Sequence, residues 1–303
     1  MAVRIGLSIT SRLDVDDVRS GATDLLARTK AARDADLDLL CIGDHHVSAV
    51  PYFQNVPTIG RLLGEWGDRQ AGALFLLPLW NPVLVAEQVG TLASFSSGPF
   101  VLQVGLGGGQ RQFAGMGEAL AGRAARYDEA IRIVDGLLRG DEVSSEVFGV
   151  DGARIAPRPP EPVEWWVGAG APKALDRVAR LGASWYGNAD LTPVSAREQL
   201  AMLGEASARH GTTPPRLVVR KDVLVTEEPA DARRLGDALL EQGYRGLPPE
   251  AVAYGSPEQV AEQLAVYDEL GFTDIIVRTM AVGPDIAQES IRLMGDVRRL
   301  LAG

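Results

Sequence analysis

Short apolar segments alternate with longer amphipathic segments along the chain. Several of the apolar segments are almost continuous in hydrophobic residues, which is typical of strands covered on both faces, as in a parallel sheet. The pattern predicts eight strands, at 3–9, 38–44, 73–79, 101–106, 165–168, 183–187, 217–225 and 274–279. Because these strands alternate with helices, we expect right-handed crossovers and a parallel sheet.

The amphipathic segments have apolar residues at helical spacing. In 124–139 the apolar positions recur three and four residues apart, opposite a charged face. Another helix is predicted from Pro257 onward, since Ser256 is a good N-cap residue and Gln259 completes a capping box.

Eight such units fill the chain without a linker-like boundary, so we predict a single (β/α)8 TIM-barrel domain over 1–303. A doubly wound open sheet is the alternative. Two stretches rich in glycine and proline, 140–164 and 243–256, interrupt the alternation. Long irregular loops are uncommon in compact domains unless they are functional, so we predict insertions or lids there.

Charge and composition narrow the classes of partner. The chain has a net charge of -10, and an acidic protein repels phosphate backbones, so we expect no nucleic-acid partner. The single cysteine, Cys41, lies in an apolar strand and is expected to be a buried thiol. The sequence shows no signal-peptide pattern and no apolar run of about 18 residues, so we expect a cytoplasmic protein that does not span a membrane.

Two adjacent histidines, His45 and His46, follow the second predicted strand. In a barrel of this kind the active site lies at the carboxyl ends of the strands. Neighbouring side chains of an extended segment point to opposite faces, so we expect at most one of the two to face the barrel mouth. That histidine is a candidate acid, base or hydrogen-bond donor. The pair is poorly arranged to share a metal ion, and we expect no metal; two histidines that simply bond to the backbone are the alternative.

Glycine clusters follow two later strands. Gly105 and Gly107 follow the fourth strand, but Gln110 stands where a dinucleotide-binding motif has its third glycine, so a plain turn is an equal alternative. After the fifth strand, small residues lead directly into a helix, where backbone N–H groups can approach an anion. Lys173 in the first turn adds a cation that opposes the helix dipole. We therefore predict a phosphate site, with a plain connection as the alternative, formed by Gly168, Ala169, Gly170, Ala171 and Lys173.

Six segments, in chain order, resemble the luciferase-like monooxygenase family of flavin-dependent oxidoreductases. The segment 39–46 is similar to the family's apolar strand, acidic residue and paired histidines. The other similar segments are 76–88, 95–100, 123–130, 166–170 and 255–259.

This resemblance implies a barrel with a flavin ring in its mouth. It implies that His45 is the catalytic histidine and that the cofactor phosphate lies near Gly168 to Lys173. An unusual non-prolyl cis peptide is implied near Ala73 and Leu74, at a functional bulge. With these two residues, Gly105 and Gly107 of the strand-four end are assigned to cofactor binding.

The cofactor implied is reduced FMN or the deazaflavin coenzyme F420. Pro99 and Leu106 stand where the family often has arginines, and small residues with Lys173 replace its phosphate-binding hydroxyl residues. Reduced FMN implies oxygen insertion into a small organic substrate, with a separate flavin reductase as partner. Deazaflavin implies hydride transfer. The resemblance also suggests a homodimer.

Two other functions fit parts of the sequence. A flavin-independent isomerase or lyase acting on a phosphorylated metabolite explains the phosphate site and His45, but not the order of the six segments. The second alternative is a protein that binds a flavin without catalysing a reaction. Five aromatic residues line an apolar substrate pocket or belong to the core: Tyr52, Phe53, Trp80, Phe113 and Trp185.

Overall fold

The protein is a closed barrel of eight parallel strands, seen in a computed structural model that describes residues 2–13, 15, 17–156 and 158–303. The strands are β1 (Arg4–Ile9), β2 (Leu39–Ile42), β3 (Ala71–Leu76), β4 (Val101–Gly105), β5 (Val143–Ser145), β6 (Val150–Ala153), β7 (Glu164–Gly168), β8 (Ser184–Gly187), β9 (Leu217–Val225), β10 (Val252–Gly255) and β11 (Asp274–Thr279). The ring runs β9-β11-β1-β2-β3-β4-β7-β8, and β8 pairs back to β9. The TIM barrel predicted from the sequence is therefore confirmed, and the open sheet is not formed.

Helices connect the strands. They are α1 (Val18–Asp34), α2 (Asn55–Trp66), α3 (Pro82–Ala93), α4 (Gln110–Gly115), α5 (Arg123–Arg139), α6 (Pro172–Leu181), α7 (Pro193–His210), α8 (Pro229–Glu241), α9 (Pro257–Glu269) and α10 (Pro284–Ala302). The capping box predicted for α9 is present, with the Ser256 side chain accepting from the N–H of Gln259 and the Gln259 side chain accepting from the N–H of Ser256. None of the helices in the described ranges is both long and apolar enough to cross a membrane.

By its internal contacts the chain divides into two compact units. The first unit comprises Met1–Thr10, Ala22–Leu40 and Trp166–Gly303, and the second comprises Ser11–Gly21 and Cys41–Trp165. The single-domain assignment over 1–303 stays a prediction.

In the first unit, β9 is the central strand. One edge of β9 pairs with β11, from Val218 to Val223. The other edge is shared, because β8 pairs with its first residues and β10 pairs with the last four, Asp222 to Val225. The segment 243–256 thus ends in a strand of the sheet, and its role as an insertion or lid stays a prediction.

In the second unit, β3 and β4 pair residue for residue from Gly72↔Val101 to Leu76↔Gly105. The register of β3 with β4 is therefore continuous at Ala73 and Leu74, and the cis peptide and bulge expected there stay a prediction. The predicted insertion at 140–164 contains an antiparallel hairpin of β5 and β6. Pro157 of this insertion lies outside the described residues.

The predicted third strand, 73–79, is displaced. The strand β3 begins two residues earlier and ends at Leu76, and a 3₁₀ turn follows at Leu77–Leu79. Apolar residues continue through that turn, but Pro78 has no N–H to donate to a neighbouring strand. Cys41 is a buried thiol, as expected.

Candidate active site

The two histidines after β2 occupy different environments. His45 is exposed and His46 is buried, with 7% of its surface accessible. The ring of His45 lies 5.5 Å from the ring of Tyr52. The ring of His46 lies 5.3 Å from Trp80 on the other side. The alternation expected of an extended segment is therefore observed, and it leaves His45 as the histidine that a ligand can reach.

The side chain of Asp44 joins the end of β2 to the end of β3. Its Oδ2 atom accepts hydrogen bonds of 2.8 Å from the N–H of Leu76 and from the indole Nε1 of Trp80. Its Oδ1 atom lies 3.1 Å from Nε2 of His46, without hydrogen-bond geometry. Because the Asp44 side chain is fully buried, these contacts are hard to replace by water and fix the backbone on which His45 stands.

Further hydrogen bonds tie the same segment to the end of β4. The N–H of His46 donates to Oε1 of Gln112 at 2.8 Å, and Nε2 of Gln112 donates to the carbonyl of Gly108 at 3.2 Å. The carbonyl of His45 accepts from Nε2 of Gln54 at 3.2 Å. Nothing in the local sequence around Gln112 or Gln54 marks these long-range contacts.

The pKa of His45 lies below its usual value of 6.5. The largest cause is the loss of hydration around the ring, followed by repulsion from His46, while Asp44 opposes both. Near neutral pH the imidazole is therefore uncharged, and it can accept a proton or donate through its N–H.

The glycines after β4 have the turn role that the sequence left open. Gly107 has a φ of +66° and Gly109 a φ of +87°, in the left-handed region that favours glycine. A side chain at Gly107 would also lie 3.5 Å from Phe113, which is a core residue. Whether Gly105 and Gly107 also bind a cofactor stays a prediction.

One face of β3 and β4 combines small, apolar and unpaired polar groups. Leu74 pairs with Gln103, and a side chain at Gly105 would lie 3.1 Å from Leu76. Gln103 is 3% exposed, and its Nε2 atom has no hydrogen-bond partner among the described residues. A buried donor without a partner is costly, so this group suits a ligand acceptor. Sequence reasoning missed Gln103, although a glutamine inside an apolar strand was a usable signal.

The other residues predicted on β3 are placed as follows. Ala73 is fully buried, on the opposite face from Leu74. The carbonyl of Leu74 accepts a 2.6 Å hydrogen bond from Nδ2 of Asn55, the first residue of α2. The side chain of Leu74, and not that of Ala73, therefore lies on the face with Gln103.

The hairpin of the 140–164 insertion is attached to the end of β3 by Arg126. The guanidinium lies 4.0 Å from the ring of Phe148. It also donates to the carbonyl of Pro78 at 3.1 Å and to Oε1 of Glu118 at 2.6 Å. These contacts hold the insertion beside the β3 end.

The predicted phosphate residues lie together in the first unit, between β7 and α6. The carbonyl of Ala169 accepts from Nε1 of Trp185 at 2.9 Å. The N–H groups of Gly170 and Ala171, by contrast, have no acceptor in the described part of the chain. Ala171 is the N-cap of α6 and supplies no side-chain cap. The exposed Lys173 forms no ion pair with any described residue.

A cradle lies at the same turn. A side chain at Gly170 would lie 3.2 Å from Nδ2 of Asn188 and 3.8 Å from Oε1 of Gln199. This Oε1 atom is buried and has no hydrogen-bond partner among the described residues. The N–H groups of this turn suit a small anion, whereas the acceptor Oε1 of Gln199 suits a hydroxyl group of a ligand.

Among the described residues, no three His, Cys, Asp or Glu side chains are grouped as a metal site requires. Of the five aromatic residues assigned to a pocket or to the core, Phe113 and Trp185 are fully buried core residues.

Comparison with known proteins identifies the family. The profile of the luciferase-like monooxygenases matches residues 3–249. The chain belongs to this family. Luciferase-like proteins are oxidoreductases, and the TIM barrel described above is their fold.

Two relatives differ in how much of the chain they match. An uncharacterised Mycobacterium tuberculosis protein is 33% identical over 141 residues, which is 46% of this chain and 48% of that protein. That match therefore spans about half the length of the relative. An F420-dependent glucose-6-phosphate dehydrogenase of Intrasporangium calvum is 23% identical over 93% of this chain and 96% of its own.

Solved structures share the fold across nearly the whole chain. The monooxygenase RslO1 of Streptomyces bottropensis has a TM-score of 0.82 at 16% identity, covering 97% of this chain and 98% of its own. The oxygenating constituent of 3,6-diketocamphane monooxygenase from Pseudomonas putida, in complex with FMN, has a TM-score of 0.81 at 16% identity, covering 99% of each chain. An F420-dependent secondary alcohol dehydrogenase has a TM-score of 0.77 at 16% identity, covering 98% of this chain and 99% of its own.

Proposed function

We propose that this luciferase-like protein is a monooxygenase that binds reduced FMN and uses O2 to oxygenate a small organic substrate. The observation that supports the proposal most directly is the placement of His45. It is exposed after β2 on a segment that the buried side chains of Asp44 and Gln112 hold in position. Rigid support of this kind is what a catalytic group requires.

The groups around β3 and β4 fit a flavin ring. The buried Nε2 of Gln103 lacks an acceptor, and a ring carbonyl would supply one. Gly105 keeps the surface beside Leu74 and Leu76 free of a further side chain. When bound, reduced flavin supplies the electrons and activates oxygen, while the protein supplies position and electrostatics.

The turn between β7 and α6 fits the cofactor phosphate. Gly170 and Ala171 offer N–H groups without acceptors in the described chain, at the N-terminus of a helix. Lys173 adds a positive charge in the first turn. We assign the phosphate to Gly168, Ala169, Gly170, Ala171 and Lys173.

His45 is assigned the proton transfer. Because its pKa is lowered, the neutral ring can accept a proton from the substrate near neutral pH. In the neutral state it also keeps one N–H, which can donate to a developing negative charge. Tyr52, beside the ring, limits the orientations that His45 can adopt.

Hydride transfer with the deazaflavin coenzyme F420 is the second candidate function. Relatives that align with most of this chain, from Intrasporangium calvum and Kribbella flavida, are F420-dependent glucose-6-phosphate dehydrogenases. In that reaction His45 would donate or accept the proton of the substrate hydroxyl. A separate flavin reductase, as the source of reduced FMN, and a second copy of the chain are proposed partners.

Anaerobic titration tests the cofactor. Purified protein is titrated with reduced FMN and, separately, with reduced F420, followed by absorbance and fluorescence. The proposal expects saturable binding of reduced FMN with a dissociation constant well below about 1 mM. Binding of F420 alone would replace the first function by the second, and binding of neither would contradict both.

Paired histidine variants test catalysis. His45→Asn is compared with His210→Asn, since His210 lies at the end of α7 with Nε2 3.1 Å from Asp176. We expect His45→Asn to keep cofactor binding and to lose roughly 100-fold or more in turnover. His210→Asn should retain both. Unchanged turnover in His45→Asn would remove this residue from the mechanism, and a cofactor bound without turnover in the parent would indicate a binding protein.

A further inference from the structure

Three arginines surround one buried carboxylate on the inner face of the barrel. Arg220 and Asp222 are two residues apart on β9 and so share a face. The residue between them, Lys221, lies under Tyr267 of α9, with its Nζ 4.8 Å from the ring centre. Arg220 and Asp222 therefore point away from the helices and into the barrel.

Arg278 lies on the same inner face. In the pairing of β9 with β11, Asp222 is opposite Arg278, and Arg220 is opposite Ile276. Ile276 in turn meets Gly6 of β1, where an added Cβ would lie 2.8 Å from its Cδ1 atom. Arg278 is near the carboxyl end of its strand, the end at which TIM barrels bind their ligands.

The third arginine, Arg245, lies in the segment 243–256, which was predicted to be an insertion. The Tyr244 hydroxyl donates to Oδ2 of Asp222 at 2.9 Å, and Nη1 of Arg245 donates to the same atom at 3.0 Å. Arg245 has a φ of +51°, an unfavourable value for a residue with a side chain. Backbone strain of this kind is found where a side chain must reach a functional position.

The positive charges in this cluster exceed the negative ones. Asp222 is fully buried, and its Oδ1 atom lies 3.6 Å from Nε of Arg220. Neither of these two atoms has a hydrogen-bond partner in the described part of the chain. One carboxylate thus faces three guanidinium groups, and it is bonded to Arg245 but not to Arg220.

Arg278 has unused donors. Its one hydrogen bond to a described residue runs from Nη2 to Oγ1 of Thr10, at 2.7 Å. A guanidinium has five N–H donors, so most of them are available to a ligand. Burial, then repulsion from Arg245 and Arg220, lowers the pKa of Arg278 to about 10, which leaves it charged near neutral pH.

We propose that Arg220, Arg245 and Arg278 bind an anionic group, a carboxylate or a phosphate, of the small organic substrate. The assignment of this ligand as the substrate rests on the proposed function. The guanidinium fork pairs with the oxygens of such groups through two parallel hydrogen bonds. An anion would satisfy the free donors of Arg278 and Arg220 and would offset the excess positive charge.

The binding test uses the purified full chain without cofactor. Inorganic phosphate and acetate are titrated separately by calorimetry at constant ionic strength, with chloride as the balancing anion. We expect saturable binding of one or both with a dissociation constant of about 1 mM or below. Preference between the two probes distinguishes a phosphate from a carboxylate on the substrate.

Arginine variants locate the binding. Arg245→Gln and Arg278→Gln should each weaken the binding by roughly tenfold or more. Arg234→Gln is the matched control, because Arg234 is an exposed arginine of the same unit that pairs only with Asp231 among the described residues. Its affinity for the anion should be unchanged.

A fourth variant has the opposite expected effect. Asp222→Asn keeps an acceptor for Tyr244 but removes the charge that competes with the ligand, so anions should bind several-fold more tightly. If Arg278→Gln does not fold, Arg245→Gln and Asp222→Asn still decide the question, since Arg245 is partly exposed.

Three outcomes would overturn the proposal. The first is that the parent protein shows no saturable binding up to about 20 mM of either anion. The second is that the cluster variants and Arg234→Gln lose affinity equally. The third is that Asp222→Asn binds anions as weakly as the parent, or more weakly. Because no cofactor is present, failure here is distinct from failure to bind FMN or F420.

Discussion

The indole Nε1 of Trp80 donates a 2.8 Å hydrogen bond to Oδ2 of Asp44, across 36 positions of the sequence. The same oxygen accepts from the N–H of Leu76. One buried carboxylate thus holds two neighbouring strand ends together and sets the position of the residue that follows it, His45.

Replacing Asp44 by Ala should destabilise the fold. The change leaves two half-buried donors, Leu76 N–H and Trp80 Nε1, without this acceptor, and each such loss costs about 1–3 kcal/mol. We expect the free energy of unfolding in urea to fall by about 2–4 kcal/mol. Asp34→Ala, at an exposed carboxylate, should change it by less than about 0.5 kcal/mol. Similar values for the two variants would show that Asp44 does not hold the strand ends.

His45 should make folding stability depend on pH. Its pKa is lowered in the folded protein, so between the folded value and 6.5 the unfolded chain binds more protons. The stabilisation is therefore present above pH 6.5 and is lost as pH falls through the folded pKa. The free energy of unfolding in urea is measured for the parent and for His45→Gln from pH 5 to pH 8. Below pH 6.5 it should fall more steeply with decreasing pH in the parent than in His45→Gln.

Asp44 gives a second check on the same residue. Because Asp44 opposes the lowering, Asp44→Asn should lower the pKa of His45 further, as followed by NMR of the imidazole C–H signals. His210→Gln is the control for assignment. A pKa of His45 that rises in Asp44→Asn would contradict the electrostatic account.

Lys221 should make the protein more stable at alkaline pH. It is 1% exposed, and its Nζ donates to the carbonyl of Leu191 at 2.8 Å. Burial is the main reason that its pKa is lowered to about 7, from 10.5. From pH 7 to pH 9 the unfolded chain holds a proton that the folded protein has released, so stability should rise by about 2 kcal/mol.

Whether Lys221 causes this rise in stability can be tested directly. Lys221→Met should abolish it, whereas Lys30→Met, at an exposed lysine, should leave it intact. Unfolding in urea at pH 7, 8 and 9 measures the effect. If the free energy of unfolding rises with pH as steeply in Lys221→Met as in the parent, other groups cause the rise.

Alanine variants of the adjacent glycines Gly107 and Gly108 distinguish the cost of backbone strain from the cost of fitting a side chain. Gly107→Ala places a side chain at a φ of +66°, which costs about 1–2 kcal/mol. Gly108 lacks a positive φ, and an added Cβ would meet nothing within 4 Å. We expect Gly107→Ala to lower the free energy of unfolding by about 1 kcal/mol more than Gly108→Ala. Equal effects would mean that the turn relaxes.

The sequence alone determined the eight barrel strands, the capped start of α9 and the buried Cys41. These features depend on local patterns, namely apolar periodicity and the chemistry of residues within one turn. The same kind of reasoning placed His45 and His46 on opposite faces, because the alternation of side chains is a property of the extended backbone itself.

Only the tertiary structure decided what surrounds these residues. Asp44 meets Trp80, Gln112 meets the N–H of His46, and Arg245 reaches Asp222 from the segment predicted to be an insertion or lid. Likewise, the third strand ended early at a turn containing Pro78. The physical reason is that burial, charge balance and hydrogen-bond satisfaction depend on groups brought together by barrel closure, which no local pattern of residues specifies.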